Sequence, residues 1–150
     1  MIETTWITWL LIVFGLITCI PLLAAQLIMI LKPDGRKAKD LMIGKGEEWR
    51  DAHHKKAAYG LAWADWIIFT PLLLAGTYGV ISGTVWGYII WGISGAIQLY
   101  INTFLWFFEK EFVLPAYGHL AYFTYVWGNF IYWGSASVIY SILRLTGITI

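Results

Sequence analysis

The chain predicts an all-α integral membrane protein with four transmembrane helices in an antiparallel bundle. Three observations carry that expectation. Hydrophobic residues make up 59% and charged residues only 13%, whereas a soluble domain carries roughly 25% charge. The apolar residues fall in long runs, which points to membrane spans and not to a large soluble core. Aromatic residues reach 18%, ten of them Trp, and Trp and Tyr favour the membrane–water interface. At 150 residues the spans make up a single membrane domain, 1–150.

The first span runs from about Trp6 to Leu31. A helix of that length covers about 39 Å, enough for a ~30 Å hydrocarbon core with tilt. Pro21 removes a backbone donor in mid-span and predicts a kink. The charge before this run is Glu3 and the bases follow it, so it reads as a retained span and not a signal peptide. Cys19 is the one cysteine. No internal disulfide is possible, and the residue reads as apolar core.

Residues 32–56 form the long polar loop, with eight of the ten Lys/Arg and two of the three His. Lys32 to Lys45 reads as basic turns interrupted by Leu41-Met42-Ile43. Glu47 to Lys56 reads as a helix with acids first and bases last, which suits the helix dipole. Asp51 and Lys55 are spaced for an i,i+4 pair. The second span covers about 57–79 and contains Asp65 and Pro71. Gly79 to Thr84 is an uncharged turn. The third span covers about 85–108 and stops at Glu109-Lys110-Glu111. Phe112 to Gly118 is a connector, with Pro115 placed to open the next helix. The fourth span covers about 117–143.

The basic residues set the expected topology. The loop plus Lys110 hold every Lys and Arg except Arg144. By the positive-inside rule both termini lie outside and the loop is cytoplasmic. The cytoplasmic membrane of a prokaryote is the expected location. Gly79, Gly83 and Gly87, then Gly92, Gly95, Gly128 and Gly134, mark places where helix backbones can approach closely. Such faces serve packing within the chain, a homo-oligomer or a partner protein.

Polar groups inside the spans are the candidate site. A carboxylate at mid-span costs at least ~2.5 kcal/mol unless it is paired, hydrated or neutralised. Asp65 lies nine residues past Lys56, about 13 Å along a helix. Gln26, Asn102 and Asn129 are expected at similar depths in the cytoplasmic half. Gln98, Asn102 and Glu109 share one helical stripe, and His119, Tyr122 and Asn129 another. Facing inward, the two stripes and Asp65 would line a pocket open to the cytoplasm, with His119 as a proton relay. Lys45, Arg50, His53, Lys55 and Lys56 would form its basic vestibule. The competing reading is a hydrogen-bond network that holds the helices together.

Other chemistry finds little support. Adjacent His53 and His54 project about 100° apart on a helix and do not chelate readily. No metal site, cofactor motif, P-loop or nucleophilic triad is legible. A net charge of +1 implies no nucleic-acid partner. The Arg50-Asp51-Ala52-His53 run ahead of the second span resembles the small glutathione-using membrane enzymes of eicosanoid metabolism. The Asn and Glu that continue that family's motif are replaced here by His54-Lys55-Lys56-Ala57, so no family is assigned.

Three functions are left. The leading one is a non-catalytic subunit or interaction protein of a membrane complex, with a protein partner or a second copy beside the bilayer lipid. The alternative is a small transporter or binding protein for a cation, a proton-coupled solute or a lipid-like ligand at Asp65. The third is a membrane-embedded enzyme acting on a lipid or quinone.

Overall fold

A computed structural model describes residues 1–149. Among them the chain is all-helical: α1 (Trp6–Leu31), α2 (Arg36–Met42), α3 (Ala52–Ala64), α4 (Thr70–Ile81), α5 (Val85–Phe108), α6 (Lys110–Ala121) and α7 (Gly128–Leu145). Short π-turns, Asp65–Phe69 and Tyr122–Val126, lie between α3 and α4 and after α6. Three helical stretches are long and apolar enough to cross a membrane: Trp6–Leu31, Ala52–Ile81 and Val85–Phe108.

The region expected as an unbroken fourth span is built differently. The expected connector is helical, as α6, and Pro115 lies inside that helix and does not open it. Gly118 interrupts it at φ 77°, ψ 167°, a left-handed φ that favours glycine. The π-turn and Trp127 (φ −122°, ψ −30°) then precede α7. Gly128 is required at this junction, because a Cβ there would lie 1.9 Å from the Phe123 carbonyl oxygen. By contrast, α1 stays α-helical through Pro21.

The chain packs as two compact units. One comprises Met1–Thr18 and the chain from Leu72 onward; the other is Cys19–Pro71. In the first, α5 and α7 run antiparallel in close contact. Tyr88 and Trp91 meet Tyr140 at one end, and Gly95 meets Gly134 further along. A Cβ on Gly134 would stand 2.6 Å from the Gly95 carbonyl oxygen, so the contact is backbone on backbone. Trp91 and Trp133 pack edge to face, 6.1 Å between ring centres and both fully buried. The start of α1 joins this core: Trp133 Nε1 donates to the Leu11 carbonyl at 3.0 Å, and Tyr140 bonds the hydroxyls of Thr5 and Thr8.

The turn between α4 and α5 is equally tight. A Cβ on Gly87 would come within 2.1 Å of the Gly79 carbonyl carbon. Gly83 turns the chain at φ +65°. Thr84 caps α5, accepting from Gly87 N–H at 3.2 Å while donating to the Gly79 carbonyl at 2.8 Å. Gly79, Gly87, Gly95 and Gly134 are therefore used in packing within the chain, since small residues let helices meet where lipid offers no hydrophobic drive.

Candidate functional site

The second unit holds a single carboxylate in the apolar part of its helices. Asp65 follows the last residue of α3 and opens the π-turn. Its Oδ2 accepts a hydrogen bond from Gln26 Nε2 at 2.5 Å. Gln26 is buried, and its Oε1 is buried without a hydrogen-bond partner. Trp66, beside Asp65, donates Nε1 to the Leu23 carbonyl at 3.1 Å and ties the same turn to α1. Among the described residues no Lys, Arg or His forms an ion pair with Asp65. A carboxylate in an apolar segment is thus met by a neutral amide alone.

The π-turn has a local cause. Pro71 has no N–H and its ring crowds the carbonyl four residues back, that of Ile67. The wider turn relieves that crowding, and the Thr70 N–H reaches back to the Asp65 carbonyl. Thr70 Oγ1 donates to the same oxygen at 2.9 Å. Thr70 and Pro71 therefore fix the backbone that carries Asp65. Single-turn π-bulges are rare and recur at functional positions.

The remaining candidates lie in the other unit. Gln98 and Asn102 are buried on one face of α5, as their spacing predicts. They bond each other: Asn102 Nδ2 donates to Gln98 Oε1 and to the Gln98 carbonyl, each at 2.9 Å. Glu109 is buried and caps the end of α5. The stripe expected of His119, Tyr122 and Asn129 does not form, because the π-turn and Trp127 interrupt the helix between them. His119 is exposed and stacks on Phe123 at 6.2 Å. Tyr122 is buried and donates its hydroxyl to the Trp106 carbonyl, while Asn129 is half-buried.

The loop is more ordered than its composition suggests. Residues 36–42, expected as turns, form α2, and Ala38 is fully buried against Met29 and Ala62. The helix expected from Glu47 starts only at Ala52. Asp51 is not the partner of Lys55. It caps α3, accepting the backbone N–H groups of His53 and His54 at 2.7 and 2.8 Å. Those two bonds hold its carboxyl below the usual carboxylate range. Lys55 pairs instead with Asp34. Arg36 bridges Asp40 (2.7 Å) and Glu48 (2.9 Å), and Lys39 also reaches Glu48. The bond from Arg36 lowers the Asp40 pKa, and the bond from Lys39 lowers that of Glu48.

Of the expected vestibule, Lys55 is consumed in an ion pair and Arg50 bonds His54 across 3.0 Å. Lys45, His53 and Lys56 are exposed. Among the described residues no group of three His, Cys, Asp or Glu is arranged to hold a metal. Two residues carry more than their sequence positions suggested. Thr70 is one. Arg144 is the other, buried on α7, with Nη2 on the Glu3 carbonyl and its guanidinium 6.0 Å from the Tyr140 ring centre. Its spacing of four from Tyr140 and three from Ser141, both buried, was the available signal. No family model matches the chain, and no curated protein or solved structure shows significant similarity to it.

Proposed function

We propose that this chain is a small multi-pass membrane protein that binds, and exchanges across the bilayer, a proton and a small or lipophilic cation at Asp65. The observation that carries the reading is the Asp65 carboxylate in an apolar helix, bonded by the neutral Gln26 amide and, among the described residues, by no cation. An ionised carboxylate there is costly until a positive charge joins it. A proton and a cation satisfy the same requirement and so compete for the same oxygens. Gln26 orients the carboxylate without neutralising it.

The reading includes the finer architecture: four antiparallel spans, the last made of the second π-turn and α7, with both termini outside. The uneven distribution of Lys and Arg supports that orientation, with the loop and Lys110 on the cytoplasmic side.

The test uses proteoliposomes with two probes, the proton and tetraphenylphosphonium. Wild-type vesicles loaded with a pH-sensitive dye are expected to move protons against an imposed tetraphenylphosphonium gradient. They should also bind tetraphenylphosphonium less well as pH falls. Asp65→Asn keeps shape and hydrogen bonding and removes the charge, so both activities should disappear while helix content stays constant. Equal activity in wild type and Asp65→Asn, or none in wild type, would overturn the reading.

A non-catalytic subunit is the second reading. It is favoured by an open, apolar groove of ≈ 800 Å³ along α5, lined by Leu99, Tyr100, Phe104, Phe107, Phe108 and Val138 among others. Its test is recovery of one stoichiometric membrane partner after mild solubilisation; a monodisperse lone chain would count against it.

A further inference from the structure

The loop between α1 and α3 has settled most of its own charges, and what remains is one-sided. Asp34, Asp40 and Glu48 are all engaged by Lys55, Arg36 and Lys39. Asp51 is used as the cap of α3. Glu47 is the one loop acid outside these contacts. Lys32, Lys37, Lys45 and Lys56 are exposed, and none makes an ion pair among the described residues. Lys45 acts on Asp40 only at a distance.

The loop is also held down at the level of the spans. Ala38, in the middle of α2, is fully buried in a cluster with Met29 and Ala62. Met29 lies in α1, three residues before Lys32, and Ala62 lies in α3, six residues beyond Lys56. A segment packed on those two residues lies against the membrane-crossing helices and does not project into water. Met42 and Trp49 pack on the same cluster. On α2 the exposed Lys37 and Leu41 are four apart and share a flank. Leu31 and Leu41 are large, apolar and exposed, at 69% and 51%, beside the free lysines Lys32 and Lys37.

We propose that this loop is a binding platform for the phosphate groups of anionic lipids. Lys32, Lys37, Lys45 and Lys56 receive the headgroups, and Leu41 enters the acyl boundary. Exposed lysines flanking an apolar side chain, on a segment fixed at the membrane surface, match an anionic bilayer in both charge and polarity. The paired cations Arg36, Lys39 and Lys55 hold the loop's shape and are not recruited. The inference does not depend on the chemistry of Asp65.

Native mass spectrometry tests it on the full chain in detergent, titrated with matched phosphatidylglycerol and phosphatidylcholine. Wild type should retain phosphatidylglycerol preferentially, and each Lys→Gln change at the four positions should weaken that preference by about fivefold. Lys110→Gln, outside the loop, should leave it intact. Raising salt to 0.5 M should abolish the preference in wild type without any mutation. Inorganic phosphate at equal concentration should not displace the lipid; full displacement would mean a free-phosphate site and overturn the proposal. An absent preference in wild type, an unchanged preference when Lys32, Lys37, Lys45 and Lys56 are all changed to Gln together, or equal loss in Lys110→Gln would overturn it too.

Discussion

Replacing Gln26 and Asp65 by leucine, singly and together, separates a true pair from two independent polar residues. Gln26 is 4% exposed, and its Nε2 has Asp65 Oδ2 as its partner at 2.5 Å. Its Oε1 already has no partner. Asp65→Leu therefore leaves the whole Gln26 amide buried and unsatisfied, which costs about 1–3 kcal/mol. Gln26→Leu strips the carboxylate of its donor and costs a comparable amount, ~1–3 kcal/mol. The double variant removes donor and acceptor together, leaves nothing buried and unpaired, and should stand close to wild type. Because the double variant recovers both single costs, the expected coupling is their sum, about 2–6 kcal/mol in favour of the pair. Reversible unfolding in mixed micelles, followed by tryptophan fluorescence, measures all four proteins. Additive costs within about 0.5 kcal/mol, the behaviour of independent sites, would refute the pairing.

Two further outcomes follow from contacts elsewhere in the chain. Gly134→Ala puts a Cβ 2.6 Å from the Gly95 carbonyl oxygen and should destabilise by about 1–3 kcal/mol. Gly60→Ala meets nothing within 4 Å and should stabilise by roughly 0.5–1 kcal/mol through backbone entropy; the same micelle titration checks both, and equal effects would remove the close α5–α7 approach as a source of stability. The loop should also loosen in acid. Asp40, Glu48 and Asp51 are all held below the usual carboxylate range. Their contribution is present above about pH 4 and is lost as pH falls through the lowered values. The amide resonances of His53 and His54 report Asp51 directly, and a midpoint at or above the ordinary aspartate value would contradict the cap.

The long apolar helices were legible because their signal is length and composition, which no tertiary contact needs to supply. Trp6–Leu31 and Val85–Phe108 are helices for that reason. The stretch Ala52–Ile81 starts earlier than its apolar run because Asp51 begins the helix as a cap, and an Asp just ahead of a helical run is a cap signal as well as a charge. The short helix α2 was not legible. It has seven residues and its Gly35 N-cap makes no side-chain bond. It is held by Ala38 against Met29 and Ala62, and such contacts override weak local preference. At the site, spacing on one helix succeeded and spacing across an interruption failed. Gln98 and Asn102 share a buried face of α5, whereas the π-turn separates Tyr122 from Asn129. The partner of Asp65 lies 39 residues away, a distance that helical periodicity does not reach.

The two polar pairs within the long apolar helices differ in a way that bears on function. Gln98 and Asn102 bond each other on one helix through neutral groups alone, with Gln98 Nε2 left without a partner. That arrangement holds structure and carries no titratable proton. Gln26 and Asp65 join α1 to the end of α3 through one hydrogen bond, and an asparagine oxygen at position 65 could accept the same bond. As glue, then, the carboxylate offers little beyond an amide, while its ionised form adds a cost of ~2.5 kcal/mol or more in the hydrocarbon. The charge is thus surplus to the packing. It sits where Pro71 widens the helix and where the N–H and hydroxyl of Thr70 both donate to the Asp65 carbonyl, so the backbone beneath it is fixed. A titratable group that packing does not need, on a backbone fixed by Thr70, suits the proposed exchange of a proton for a cation. That is why Asp65→Asn, and not a larger change, is the decisive substitution.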